Sequence, residues 1–255
     1  MNSRDLRRKY GQNYLKDKAI LFEMGEAIAP KEHDNFIEIG PGLGALTDQI
    51  NIEKINITCI EIDTKNIEYL RKKYDGPASF KFINEDILDF NLDDEVSNYR
   101  LIGNLPYNIS TQIMLKFIEN YKNIYDMHFL VQKEVAEKVT GNVSTKNWGK
   151  LALKISAFFD SEVLFDVPPE SFDIKPNVNS SFIRLLPKKD INYDLEIKSD
   201  LYNVIDSAFM SRRKNIKNNL KNLKINWNEV DIDPNKRSEE LSTQDFIYLA
   251  KSLKK

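Results

Sequence analysis

Apolar positions follow two rhythms along this 255-residue chain. Residues 18–29, KAILFEMGEAIA, repeat them at helical spacing, whereas residues 35–39, NFIEI, form a short apolar run that ends at Gly40 and reads as a buried strand. PGLGALTDQI then predicts a turn and a helix, NITCIEI (56–62) a second strand, and TKNIEYLRKKY a helix with a charged face. SFKFIN (79–84), YRLIG (99–103) and YDMHFLVQ (125–132) predict three more strands. STQIMLKFIEN supplies a helix between the last two, and KEVAEKV follows the fifth strand. Strand–helix alternation of this kind predicts an α/β fold, with a mainly parallel sheet and helices on both faces.

The rhythm changes after about residue 140. WGKLALKISAFF predicts a helix, EVLFDV and SFIRLL two further strands, and the Pro- and Asn-rich VPPESFDIKPNVNS a long irregular connection. Residues 198–255 are helical in pattern, with breaks across NWNEVDIDPNKR. The expected division is one domain over 1–188 and a smaller helical one over 189–255.

Composition narrows the class. Hydrophobic residues make up 41% of the chain and charged residues 30%, which is too apolar for a disordered chain. No run of 18 apolar residues predicts a spanning helix, and the N-terminus lacks the apolar segment of a signal peptide. A cytoplasmic protein with no membrane partner is expected. One cysteine, Cys59, and two histidines exclude a disulfide framework and argue against any Cys/His metal site. The net charge is only −2, but its distribution is uneven. Residues 1–18 hold six Lys/Arg against two Asp, residues 205–224 hold six against one, and DILDFNLDDE (86–95) is acidic.

Chemistry concentrates where the first strands end. EIGPGLG (38–44) has the form of a strand–turn–helix, with Gly40 and Gly42 in the tight turn and Gly44 permitting close helix approach. Glu61 closes the second strand roughly twenty positions after Gly40, where an acid can accept bonds from both ribose hydroxyls of an adenosine-containing ligand. Asp86, after the third strand, can accept a bond from an adenine amine. Glu38 would repel a nearby phosphate. Together these features favour S-adenosylmethionine, whose sulfonium is cationic, over a dinucleotide.

NLPYNIS (104–110) leaves the fourth strand. In a doubly wound sheet that strand's end lies beside the crevice next to the first strand. The side-chain oxygen of Asn104 and the backbone carbonyl of Leu105 can accept the two hydrogens of an exocyclic adenine amine, a poor nucleophile, and stabilise the charge that develops on it. Pro106 stiffens the turn, Tyr107 offers a face on which a base can stack, and the Ser110 hydroxyl can cap the next helix.

EIGPGLGALT, CIEID, NEDILDF and GNLPYNIST resemble the ribosomal RNA adenine dimethyltransferase family. So do GQNYL (11–15), VQKEVAEKV (131–139), VPPESFDIKPNVNSSFIRL (167–185), AFMSRRKNIKNNL (208–220) and EELSTQDF (239–246). The resemblance covers about residues 4–250. It implies a class I S-adenosylmethionine-dependent methyltransferase with a doubly wound, mostly parallel seven-stranded sheet and a small C-terminal helical domain. It also implies transfer of methyl groups to the N6 of two adjacent adenosines near the 3′ end of small-subunit ribosomal RNA, during small-subunit maturation. Asn13 and Leu15 would sit over the donor, Gly40 against its methionine part and Glu61 on its ribose, with Gly42 and Ile62 also among the donor-binding residues. Asp86 would bind its adenine amine, Ile87 would pack beside that ring, and Asn104 would straddle donor and target. Leu105, Pro106 and Tyr107 would complete the catalytic turn, with Phe172 a second aromatic platform opposite Tyr107. Tyr14 stands for the family's usual Phe, and Trp148-Gly149-Lys150 for its usual Tyr-Gly-Arg.

The expected partner is the ribosomal RNA of an immature small subunit, met by a monomer. A helix through 205–224 would carry Arg213, Lys217, Lys221 and Lys224 as a basic stripe towards RNA phosphates, and Arg7 and Arg8 would add a second group near the donor. His33, His128 and Cys59 are expected to be structural. The main alternative is the related large-subunit adenine methyltransferase that confers antibiotic resistance; the Gly40–Gly44 run, Leu105 and the VPPESF segment lean towards the small-subunit enzyme. A nicotinamide dehydrogenase would leave Asn104 without a task. A non-catalytic assembly factor and a DNA adenine methyltransferase are further alternatives.

Overall fold

A computed structural model describes residues 13–74, 79–93, 95–189 and 191–253. Contacts group the chain into two compact units. One comprises residues up to Ala136 with Glu162–Pro187, and the other Glu137–Ser161 with residues from Lys188 onward. The sequence pattern predicts a single boundary near 188. The structure has a break there, and also groups the 137–161 excursion with the C-terminal segment.

The sheet contains β1 (Asn35–Ile39), β2 (Asn56–Ile60), β3 (Phe80–Ile83), β4 (Tyr99–Asn104), β5 (Ile124–Gln132), β6 (Phe159–Val167) and β7 (Ser180–Pro187). Their order is β3-β2-β1-β4-β5-β7-β6. β1 to β5 run parallel and β7 pairs antiparallel with β5. β5 is buried along most of its length, as a central strand covered on both faces must be. β6, at the edge, exposes Asp160, Glu162 and Asp166 to water.

The chain winds outward from β1 through β2 to β3, then returns to β4 on the other side of β1. This reversal opens a crevice at the carboxyl ends of β1 and β4. There is no room there for a side chain on β4: a β-carbon on Gly103 would lie 2.5 Å from the Ile39 carbonyl oxygen. At the opposite end of the strands, Arg100 is buried but fully paired. Its guanidinium donates to both Asp126 oxygens at 3.0 and 2.7 Å and to Asp34 at 2.7 Å. It also donates to the Ile28 and Ala29 carbonyls, which end helix α1 (Lys18–Ile28). Asp17 caps the start of α1, and Leu21, Met24, Gly25 and Ile28 form its buried stripe. Helices α2 (Thr47–Ile50), α3 (Thr64–Lys73), α4 (Ser110–Lys116) and α5 (Lys133–Val139) follow β1, β2, β4 and β5.

In the second unit, α6 (Lys150–Ser156), α7 (Lys198–Ala208), α8 (Ile216–Asn219) and α9 (Thr243–Lys251) carry the helical pattern. Trp148 belongs to its core, with its indole N–H on the Leu241 carbonyl at 2.8 Å. The expected helix through 205–224 is not formed. α7 stops at Ala208, whose carbonyl accepts the Ser238 hydroxyl, and Asn215 starts the four-residue α8 as its cap. The Asn219 amide meanwhile donates to Ser211 and Lys214 carbonyls. Short polar side chains here satisfy the backbone in turns and compete with helix. Arg213, Lys217, Lys221 and Lys224 are all exposed, but they do not share one helical face.

Among the described residues no helix is long and apolar enough to cross a membrane, and no group of three or more His, Cys, Asp or Glu could hold a metal ion.

Candidate active site

A cleft of about 250 Å³ lies at the carboxyl ends of β1, β2 and β4. It is lined by Asn13, Gly40, Gly42, Glu61, Ile62, Asp86, Ile87, Asn104, Leu105 and Pro106, which the sequence reading had drawn from five separated segments. A second cleft of about 390 Å³ shares Tyr14, Gly40 and Asn104 with the first.

The glycine turn is built around Tyr14. Gly42 has φ +58°, and a β-carbon there would lie 2.7 Å from the tyrosine ring. A side chain at this position would therefore be strained and would displace the ring. The Tyr14 hydroxyl, absent from the Phe usual in the resembling family, has a partner: it donates to the Asn66 oxygen at 3.4 Å and accepts the Asn66 amide at 3.1 Å. At Gly40 a β-carbon would meet nothing within 4 Å, so bare backbone faces the cleft.

Glu61 is almost fully buried, and burial pushes its carboxyl above the usual range. It accepts the Gly42 N–H at 3.1 Å, the Asp63 N–H at 2.9 Å and the Asn66 amide at 3.3 Å. A carboxylate offers about four lone-pair sites, so three protein donors leave room for about one ligand hydroxyl. Asp86 uses one oxygen to accept the Leu88 N–H at 2.9 Å and still lines the cleft. It acts as both turn former and cleft wall.

Asn104 has a defined polarity. Its amide nitrogen donates to the Asn13 carbonyl at 2.6 Å, a bond that only the nitrogen can make. The side-chain oxygen is thereby set as the remaining acceptor. The Leu105 N–H continues the ladder onto the Leu130 carbonyl, and its own carbonyl receives no donor among the described residues. Two adjacent acceptors therefore stand at the end of β4.

Other expectations change. Leu15 lines the second cleft rather than the first and packs into the core. Phe172 is only 1% exposed and packs in that same core cluster, bridged to Leu15, so its ring offers no open platform opposite Tyr107. The cause is the 13–17 segment: the Lys16 and Asp17 N–H groups bind the Ser171 carbonyl, and the Asp173 N–H binds that of Tyr14, which draws the loop inward. Tyr107 does not line the cleft; its hydroxyl shares a 2.5 Å hydrogen bond with Ser180. Ser110 is the first residue of α4 and makes no capping bond; its hydroxyl reaches back to the Tyr107 carbonyl. Glu38 is buried against Thr47, whose hydroxyl donates to it at 2.6 Å, and burial raises its pKa to about 7. It is no permanent anion facing a phosphate. Arg7 and Arg8 lie outside the described residues.

Asn66, Asn84 and Ser180 were not anticipated. The Asn84 amide holds the Glu61 and Ile62 carbonyls at 2.8 and 3.1 Å. Asn66 carried a legible signal: it shares the helical spacing of Ile67 and Leu70, so a polar side chain falls on a buried face.

The family model described as ribosomal RNA adenine dimethylase matches residues 3–255. The chain is 40% identical over 248 residues to ribosomal RNA small subunit methyltransferase A of Legionella pneumophila (strain Corby), covering 96% of each protein. It is 36% identical over 258 residues to the protein of that name from Coxiella burnetii (strain RSA 331 / Henzerling II), covering 99% of this chain and 100% of the relative. Among solved structures, a dimethyladenosine transferase from Plasmodium falciparum superposes with a TM-score of 0.78 at 24% identity, over 92% of this chain and 95% of that one. The 23S rRNA methyltransferase ErmE gives 0.76 at 22% identity, over 94% and 99%. At these identities the two structures speak for the fold, while the full-length match and the curated relatives speak for kinship: the chain belongs to the ribosomal RNA adenine dimethylase family.

Proposed function

We propose that this chain transfers methyl groups from S-adenosylmethionine to the N6 of two adjacent adenosines near the 3′ end of small-subunit ribosomal RNA, within an immature small subunit. The curated relatives' small-subunit names favour this substrate over the large-subunit alternative. One observation carries the choice of donor. Among the described residues, the first cleft is lined by Glu61, Glu85 and Asp86 and by no Lys or Arg. Such a wall suits a neutral or cationic adenosine ligand and disfavours a pyrophosphate. The same wall disfavours a nicotinamide cofactor, whereas Glu38, with its pKa raised to about 7, does not decide between the two.

The residues present fit the donor. Glu61 has acceptor capacity for a ribose hydroxyl, Asp86 for an adenine amine, and Ile62 and Ile87 supply apolar walls. Bare backbone at Gly40 and the Asn13 segment would hold the methionine part. When bound, S-adenosylmethionine supplies an electrophilic methyl group.

The chain's own task is to present the amine. The Asn104 oxygen and the Leu105 carbonyl accept its two hydrogens, aim its lone pair and stabilise the positive charge that grows on nitrogen. Asn13 keeps Asn104 in the accepting orientation at no cost during the reaction. Pro106 fixes the turn, and Tyr107 gives the flipped base a stacking face, an interaction worth roughly 1–3 kcal/mol. Phe172 belongs to the core cluster instead of closing a sandwich. Exposed Arg213, Lys217, Lys221 and Lys224 supply RNA-phosphate contacts.

The test is Asn104→Ala. It should bind ribosomal particles like the parent and lose about a hundredfold or more in methyl transfer, the order seen when one preorganised transition-state contact is removed. A variant that transfers at the parent rate contradicts the mechanism.

A further inference from the structure

We propose that Ser180 is a positioning residue for methyl transfer, acting through the Tyr107 hydroxyl to hold the base-stacking ring in place. The inference rests on the reading of Tyr107 as the stacking face.

Tyr107 sits in the turn after β4, and its ring is only half-buried. A side chain in such a turn can swing unless its far end is tied. The tie is the 2.5 Å hydrogen bond between its hydroxyl and Ser180 Oγ. Burial pushes the tyrosine hydroxyl up, so it stays protonated and able to take part in that bond.

Ser180 is a rigid anchor. It is the fully buried first residue of β7 and pairs with Gln132, the last residue of β5. Its neighbours are fixed as well: the Lys133 N–H binds the Asn179 carbonyl at 2.9 Å, and the Ser181 hydroxyl donates to Asp166 at 2.6 Å. At the other end, the turn is closed by the Ile109 N–H on the Pro106 carbonyl at 3.1 Å. The ring is therefore held at its backbone by the β4 turn and at its tip by β7. A site needs this kind of support to keep a group in productive geometry. Without the Ser180 hydroxyl the backbone turn survives, but the ring loses its fixed rotation.

A double-mutant cycle tests this on the full chain. Ser180→Ala and Tyr107→Phe should each lower kcat by about three- to tenfold, the range expected for one hydrogen bond. Neither should change the S-adenosylmethionine Kd, and the double variant should be no slower than the slower single one. If the two losses multiply, Ser180 acts through general stability of β7 and the inference is wrong. It is equally wrong if either single variant keeps the parent kcat. Tyr107→Ala separates this inference from the reading beneath it. If Tyr107→Ala transfers normally, the stacking reading fails and takes the inference with it. If Tyr107→Ala is crippled while Ser180→Ala and Tyr107→Phe are unaffected, only the positioning role fails.

Discussion

Glu38 and His128 are two buried titratable side chains whose effects on stability oppose each other. Burial raises Glu38 from 4.5 to about 7. Between those values the unfolded chain has released the proton that the folded chain keeps, so this group makes stability fall as pH rises. Burial lowers His128 from 6.5 to about 4. There the unfolded chain holds the proton that the folded chain lacks, so stability rises with pH across that window. The two slopes offset each other between about 4.5 and 6.5. Glu38→Gln should therefore gain stability with rising pH relative to the parent, and His128→Leu should lose it. Urea unfolding at a series of pH values measures both slopes; parallel curves for all three proteins would contradict the assignment. Much of the site was legible at this scale. Gly40, Glu61, Asp86 and Asn104 could be named because each chemical role requires a residue type at a strand end. Ser180 could not, and Phe172 is expected as an open platform but packs in the core, because an aromatic ring and a hydroxyl suit a core or a site equally well, and tertiary packing decides which.

At the scale of elements, the site depends on how closely β4 approaches β1. Gly103→Ala would place a methyl group 2.5 Å from the Ile39 carbonyl oxygen, and backbone cannot yield there without moving a strand. The expected cost is about 1–3 kcal/mol in denaturant unfolding. Donor affinity should fall as well, since Ile39, Gly40 and Asn104 line the cleft. Unchanged unfolding and unchanged binding would show that the close approach has no consequence. The strands were readable because buried parallel strands are short apolar runs with definite ends: NFIEI coincides with β1. The helix expected over 205–224 was misread for the same reason in reverse. Its apolar spacing is helical, but the Asn215 side chain accepts the Asn218 N–H and the Asn219 amide donates to the Ser211 and Lys214 carbonyls, which breaks the run into turns.

The whole molecule carries a net charge of only −2, yet it joins an acid-lined cleft in one compact unit to exposed basic residues in the other. Opposite charge in separate places suits a cationic donor and a polyanionic substrate handled by one chain. The central claim is the identity of the acceptor. The most direct measurement incubates the full-length protein with labelled S-adenosylmethionine and, in parallel, immature small subunits, naked ribosomal RNA, large subunits and DNA, followed by digestion to nucleosides. Label is expected in N6,N6-dimethyladenosine, mapped to two adjacent positions near the 3′ end of the small-subunit RNA. Label confined to large-subunit RNA or DNA, or none in any of the four, would contradict it.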